Sequence, residues 1–182
     1  MQMHPDVNKI LFTEDEIKAH VARLGAAIDR DFAGEDVIIV TVLRGAAIFS
    51  ADLARAIKTV PVEMDYMAIS SYGASTKSSG VVNIQKDLSS PITGRNVIVA
   101  EDILDSGLTL SYVLEILAAR EPKSLTFMPL FIKKGVQKVH IDVDYPALEI
   151  PNEFVVGYGL DYAEKYRNLP YLAVLDPKVY SK

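Results

Sequence analysis

Apolar residues recur along the chain with two different periods, and the changes of period mark its elements. Thr13-Glu14-Asp15-Glu16 has the hydroxyl and the carboxylate of a capping box. Ile17, Val21, Leu24, Ile28 and Phe32 follow it at helical spacing. Val37–Leu43 is short, β-branched and apolar on both faces, as a central parallel strand should be. Gly45 interrupts it, and a helix through Ile48, Leu53 and Ile57 is expected next. Val62–Ser70 and Val81–Leu88 read as two more strands. The small polar stretch Ser71–Gly80 between them is expected to be a mobile loop joining an antiparallel pair. The turn Thr93-Gly94-Arg95-Asn96 leads into a buried strand, Val97–Ala100, and Leu110, Val113, Leu114 and Leu117 mark another helix. Ser124–Lys133 is predicted as a strand, with shorter ones at Phe154–Gly157 and Tyr171–Leu175. Strands alternating with helices imply an α/β fold built on a mainly parallel sheet. No internal repeat, linker or low-complexity tract interrupts the pattern.

Composition adds limits. At 182 residues, 49% hydrophobic and 24% charged, the chain has the length and apolar content of one globular domain. It has no cysteine, which removes disulfides, thiol catalysis and Cys-ligated metals and fits a reducing compartment. Residues Met1–Thr13 lack the basic stretch and apolar run of a signal peptide, and Val37–Leu43 is too short to span a bilayer. A cytoplasmic protein is therefore expected. The net charge of −5 argues against general nucleic-acid binding, which needs clustered Lys and Arg. His4, His20 and His140 are scattered and suggest no metal cluster.

The densest chemistry lies in Val97-Ile98-Val99-Ala100-Glu101-Asp102-Ile103-Leu104-Asp105-Ser106-Gly107-Leu108-Thr109-Leu110. An apolar strand is expected to end in two adjacent carboxylates, followed by a small-residue turn and a helix. Ligands of open α/β sheets sit beyond the carboxyl ends of the strands. Backbone amides and two hydroxyls at a helix N-terminus make an anion site, and Gly107 lets the backbone approach a phosphate. Glu101 and Asp102 cannot hold that phosphate; they suit sugar hydroxyls or a divalent cation. The bland alternative is a strand–turn–helix corner whose Asp and Ser cap the helix. Acids set between a buried strand and a small-residue turn favour the ribose 5-phosphate site.

The run Glu101–Thr109 resembles the phosphoribosyl pyrophosphate (PRPP) signature of type I phosphoribosyltransferases. From its first helix to near the C-terminus the chain resembles their hypoxanthine/guanine branch, with Leu108 standing where some members carry Lys. The resemblance implies a single type I phosphoribosyltransferase domain over residues 1–182. That fold has a central, mainly parallel sheet flanked by helices, a small hood from the N- and C-terminal segments, and a mobile antiparallel loop. It also implies Mg²⁺-dependent transfer of the 5-phosphoribosyl group to N9 of hypoxanthine, and of guanine, with dimers or tetramers as the assembly. By the same resemblance Glu101, Asp102, Asp105, Ser106, Gly107, Leu108 and Thr109 bind the ribose and its phosphate, and Asp105 is the general acid/base near purine N7. Leu43-Arg44-Gly45 matches the pyrophosphate loop, with a cis Leu43–Arg44 peptide, and Arg44, Gly45 and Arg167 meet pyrophosphate. Lys133, in Phe131-Ile132-Lys133-Lys134, donates to the purine O6; Phe154 stacks on the base; Val155 reads its edge. Asp161 lies in the base site and ligates Mg²⁺ with Glu101 and Asp102. Ser71-Tyr72 matches the dipeptide that closes the mobile loop.

Rival readings are weaker. A PRPP-sensing regulator of the same fold that binds nucleic acid would need a basic face, and Lys133-Lys134 is the one Lys/Arg cluster noted. A phosphorylation-switch receiver domain would not need the polar stretch 71–80. A dinucleotide fold lacks its glycine fingerprint, since Gly157-Tyr158-Gly159 stops short.

Overall fold

Strand β2 (Val37–Leu43) runs through the middle of the molecule with Val37–Val42 all buried. Its alternate side chains serve two cores, as the period of a strand requires. Val37 and Ile39 pack with Ile17, Val21, Phe49 and Leu53 on one face. Ile38, Val40 and Val42 pack with Leu110, Val113 and Leu117 on the other. Each apolar side chain taken fully out of water contributes about 1.5–3 kcal/mol. The structure, a computed structural model, describes residues 3–71 and 82–181.

The first face is covered by α1 (Glu14–Asp31) and α2 (Ala47–Ala56), the second by α3 (Leu108–Ala118). The capping box of α1 is formed: Thr13 Oγ1 accepts from the Glu16 amide at 3.3 Å, and the Glu16 carboxylate accepts from the Thr13 amide at 2.8 Å. Beside β2 in the six-stranded sheet lie β3 (Val62–Ser71), β4 (Val82–Lys86), β5 (Asn96–Leu104), β6 (Ser124–Lys133) and β7 (Leu148–Ile150). The order is β4-β3-β2-β5-β6-β7, parallel except for the antiparallel β3–β4 pair. The α/β class and the mainly parallel sheet read from the periodicity are both present. Tyr72 and the remainder of the expected closing segment through Gly80 lie outside the described residues.

The chain leaves β2 for β3 on one side and later enters β5 on the other. The crevice between the carboxyl ends of β2 and β5 is therefore the switch point of the sheet, where α/β proteins place ligands.

A separate three-stranded antiparallel sheet, ordered β1-β9-β8, joins β1 (Val7–Phe12) to β8 (Val155–Val156) and β9 (Leu172–Leu175). Neither β1 nor β7 was predicted. β1 reads Val-Asn-Lys-Ile-Leu-Phe, without clean alternation, and its register with β9 is broken twice. β7 has three residues, too few for a period to show. The short helix α4 (Pro177–Tyr180) ends the description and was also missed.

The sequence placed the end of β5 at Ala100, and that is corrected. β2 stops pairing at Thr41↔Ala100, but β6 continues beside β5 to Leu104↔Ile132. Glu101 and Asp102 thus lie inside a strand that is paired on one edge, and the turn begins at Asp105. A one-sided ladder carries no composition signal.

The loop from α2 into β3 is fastened by Asp29 of α1. Its carboxylate accepts from the amides of Lys58 (2.8 Å), Thr59 (2.7 Å) and Val60 (3.0 Å) and from the Thr59 hydroxyl (2.8 Å). These bonds, the Thr59 amide foremost, hold its pKa down to about 2. A carboxylate depressed in the folded state stabilises the fold above its unfolded pKa, and that contribution fades as pH falls towards 2. Asp29→Ala should therefore lower the thermal midpoint at pH 7, with the gap to the parent chain narrowing on acidification from pH 4 towards pH 2; a pH-independent gap in calorimetry would contradict this.

Candidate active site

Three chain segments meet at the switch point. From β2 comes Leu43-Arg44-Gly45, whose Leu43–Arg44 peptide is cis, as the resemblance implied. From β5 come Glu101, Asp102 and the turn Asp105-Ser106-Gly107. From the C-terminal region comes the loop carrying Gly159. Their fit leaves no room for side chains at the contacts. A Cβ on Gly45 would overlap the Asp102 carboxylate, and one on Gly159 (φ 102°) would overlap the Gly45 carbonyl.

The turn after β5 lines a cavity of about 150 Å³ with Glu101, Asp105, Ser106, Gly107 and Thr109, closed by Val42, Ile69 and Leu110. Gly107 is the N-cap of α3 in left-handed conformation, φ 79°, and no side chain caps the helix there. The capping alternative is thereby removed: α1 spends a hydroxyl and a carboxylate on its first turn, whereas α3 presents its first-turn amides without a side-chain acceptor. Those amides, the positive end of the helix dipole and the hydroxyls of Ser106 and Thr109 could seat an anion.

Beside the seat lie the paired acids. Burial pushes the Glu101 carboxyl well above the usual carboxylate range, with the neighbouring Asp102 charge as the second cause. Burial raises Asp102 as well, while the Ile103 amide, donating at 2.8 Å, pulls the other way. Glu101 Oε2 is buried and has no hydrogen-bond partner among the described residues. An acceptor left bare in this way fits a site made to receive hydroxyl donors or a cation. Among the described residues no three His, Asp or Glu side chains are gathered around one point, so Asp161 does not join the acid pair in a protein-only metal cage.

The cations of the site are matched to acids. Arg44 reaches Glu164 at 2.7 Å. Arg167 reaches Asp161 at 2.8 Å and Glu164 at 3.5 Å, and donates to the Gly159 carbonyl at 2.8 Å. Thus Arg44 and Arg167, expected at one anion, converge on one carboxylate. Glu164 itself was not anticipated; it sits at φ 62° in a run with left-handed Ala163 and Tyr166, and no glycine betrays that turn. Lys133, at the end of β6 with 14% of its side chain exposed, reaches Asp105 at 3.2 Å. Gln137, also unanticipated, donates to the carbonyls of Lys133 (2.5 Å) and Asp105 (3.3 Å) and ties their segments together. Lys134 faces outward and pairs with Glu149.

The antiparallel sheet adds Phe154 and Val155. Leu175 donates its amide to the Phe154 carbonyl at 2.9 Å, and Val155 stands opposite Val174. Alternation then places Val155 at a non-bonded position, with its N–H and C=O turned to the outer edge of β8. Phe154, which unaided patterning assigns to the core, is 41% exposed.

The phosphoribosyl transferase domain profile matches residues 8–163, spanning both the cis loop and the acid-pair turn. The chain belongs to this family. Over its full length this phosphoribosyltransferase is 49% identical to a Mycobacterium avium protein named hypoxanthine-guanine phosphoribosyltransferase, of which the alignment covers 92%. It is 48% identical to the Bacillus subtilis protein of the same name, with 98% of each chain covered. Among solved structures, a Staphylococcus aureus hypoxanthine phosphoribosyltransferase superposes with a TM-score of 0.95 at 43% identity, covering 99% of this chain and 97% of that one. A Trypanosoma cruzi hypoxanthine phosphoribosyltransferase complexed with the product IMP gives 0.93 at 38% identity, covering 100% and 97%.

Gly107 offers a direct test of the corner. A Cβ there would adopt left-handed backbone and stand 3.1 Å from Val139 and Ile141. Gly107→Ala should cost about 1–2 kcal/mol of stability from the backbone alone, read from the urea midpoint; a midpoint equal to that of the parent chain would refute the strained corner.

Proposed function

We propose that this phosphoribosyltransferase salvages 6-oxopurines, moving the 5-phosphoribosyl group of PRPP to N9 of hypoxanthine, and of guanine, with release of pyrophosphate. The reading is carried by one observation: an uncapped helix N-terminus opens beside a half-buried acid pair, one oxygen of which is buried without a partner. That pairing suits a phosphate joined to a sugar diol. The names of the relatives and the IMP held by the Trypanosoma cruzi neighbour support the purine side.

In this reading the amides of Ser106, Gly107, Leu108 and Thr109 hold the 5-phosphate, and Glu101 and Asp102 accept from the ribose hydroxyls. Glu101 Oε2 and the Asp102 carboxylate would receive a divalent cation that keeps most of its ligands from water and phosphates, while Asp161 stands apart from that pair. Mg²⁺ bound there with pyrophosphate would neutralise charge on the leaving group. Arg44 and Arg167 exchange Glu164 for the departing pyrophosphate. Lys133 donates to O6, Phe154 stacks on the ring, and Val155 offers its backbone groups to the base edge. The C1–oxygen bond to pyrophosphate breaks as the C1–N9 bond forms, and the proton shed by the base passes to the Asp105 carboxylate near N7. The composition without cysteine suits work in the cytoplasm, and assembly as a dimer or tetramer is part of the same reading.

Incubation with PRPP and each of hypoxanthine, guanine and xanthine, with and without Mg²⁺, should give IMP and GMP only when the metal is present; absence of any nucleotide product would end this reading. Asp105→Asn should keep PRPP binding and lose about 10²–10⁴ in kcat, whereas unchanged turnover would remove Asp105 from the acid/base role. Lys133→Ala should raise KM for the base more than KM for PRPP; equal changes would refute the O6 contact.

A further inference from the structure

The three aromatic rings of Phe154, Tyr162 and Tyr180 form a cluster to which the proposed reaction assigns only the first. Phe154 and Tyr180 lie 5.2 Å apart, centroid to centroid, with planes tilted by 31°. Tyr162 stands edge-on to Phe154 at 5.6 Å and lies 6.2 Å from Tyr180. The three separations make a nearly equilateral triangle. The two tyrosines therefore approach Phe154 from one side and do not sandwich it. Phe154 keeps 41% of its surface exposed beside the two tyrosines.

Tyr180 is delivered to this place by a small fixed structure. Asp176 caps α4, accepting from the Lys178 amide at 3.0 Å, and Pro177 occupies the first turn. The Asp176 amide donates to the Asp6 carbonyl at 2.8 Å, which anchors the helix to the segment leading into β1. Tyr180 itself is 36% exposed. It is wasted as core, but it is well placed as the backing of another ring.

We propose that Tyr180 is a positioning residue for the purine: it braces one side of Phe154 so that the opposite face is presented flat to the base. This rests on the reading that Phe154 stacks on the base. A half-exposed phenyl ring without a flat neighbour is free to rotate about its side-chain torsions, and ordering it then falls to the incoming base. The bracing ring settles that orientation in advance. It touches neither PRPP nor the reacting atoms, so its influence is confined to affinity for the base.

The test compares Tyr180→Ala with Tyr180→Phe. An aromatic pair of this geometry corresponds to a factor of about 2–10 in affinity. Tyr180→Ala should raise KM for hypoxanthine by that factor, leaving KM for PRPP and kcat at saturating base unchanged, and Tyr180→Phe should restore the parent value. Equal rises in both KM values, an unchanged KM for hypoxanthine, or failure of the phenylalanine to restore it would each overturn the proposal. Phe154→Ala separates the layers: it should raise KM for hypoxanthine at least as much as Tyr180→Ala does. If Phe154→Ala leaves KM unchanged while IMP is still made, the bracing role falls and salvage stands. If the parent chain makes no IMP, salvage falls and takes this proposal with it.

Discussion

Two neighbouring carboxylates stand half-buried where three chain segments meet, with one oxygen of Glu101 shut off from water. Asp102 lies against Gly45, Gly45 lies against Gly159, and each approach excludes even a methyl group. The loop after β2, the strand β5 and the C-terminal loop are thus fixed to one another through close approaches at two glycines. Both acids titrate high because of their burial, and one buried oxygen of Glu101 has no donor. Such an arrangement disfavours the charged pair in isolation and favours whatever brings donors or positive charge to it.

The same economy governs the cations around the pair. Arg44 and Arg167 share Glu164, and Lys133 faces Asp105. Each of these basic groups has an acidic partner, so under the proposed function ligand binding would be an exchange of partners and not the filling of a strongly charged hole. The helix end at Gly107 is the exception. It has no side chain to satisfy it, which fits a group that must be held throughout a reaction while the others change.

Much of this was legible in the sequence because it rests on local pattern. The capping box of α1, the doubly buried β2 and the span of β6 follow from period and composition, and the run Glu101–Thr109 carries the resemblance that led to the family. What escaped depends on distant partners. β5 runs past its acids because β6 continues alongside it. β1 exists because β9 offers it an edge, not because its own residues alternate. Glu164 and Gln137 enter the site through backbone conformations and carbonyl contacts that no spacing reveals. Phe154 looked like core because a phenylalanine usually is; it stands between Glu153 and Val155, just before the edge strand β8, and is left half-exposed.

The pairing of β1 with β9 has a bearing on how the protein comes into being. On the ribosome, β1 emerges long before its neighbour in the sheet, which is not made until Leu175 has been added. The parallel sheet draws on residues up to Ile150 and can begin to assemble earlier. Meanwhile the apolar side chains of β1 have no strand to shelter them. Nascent chains of this protein should thus pass through a stage in which the parallel sheet can form while an early segment stays open to chaperones.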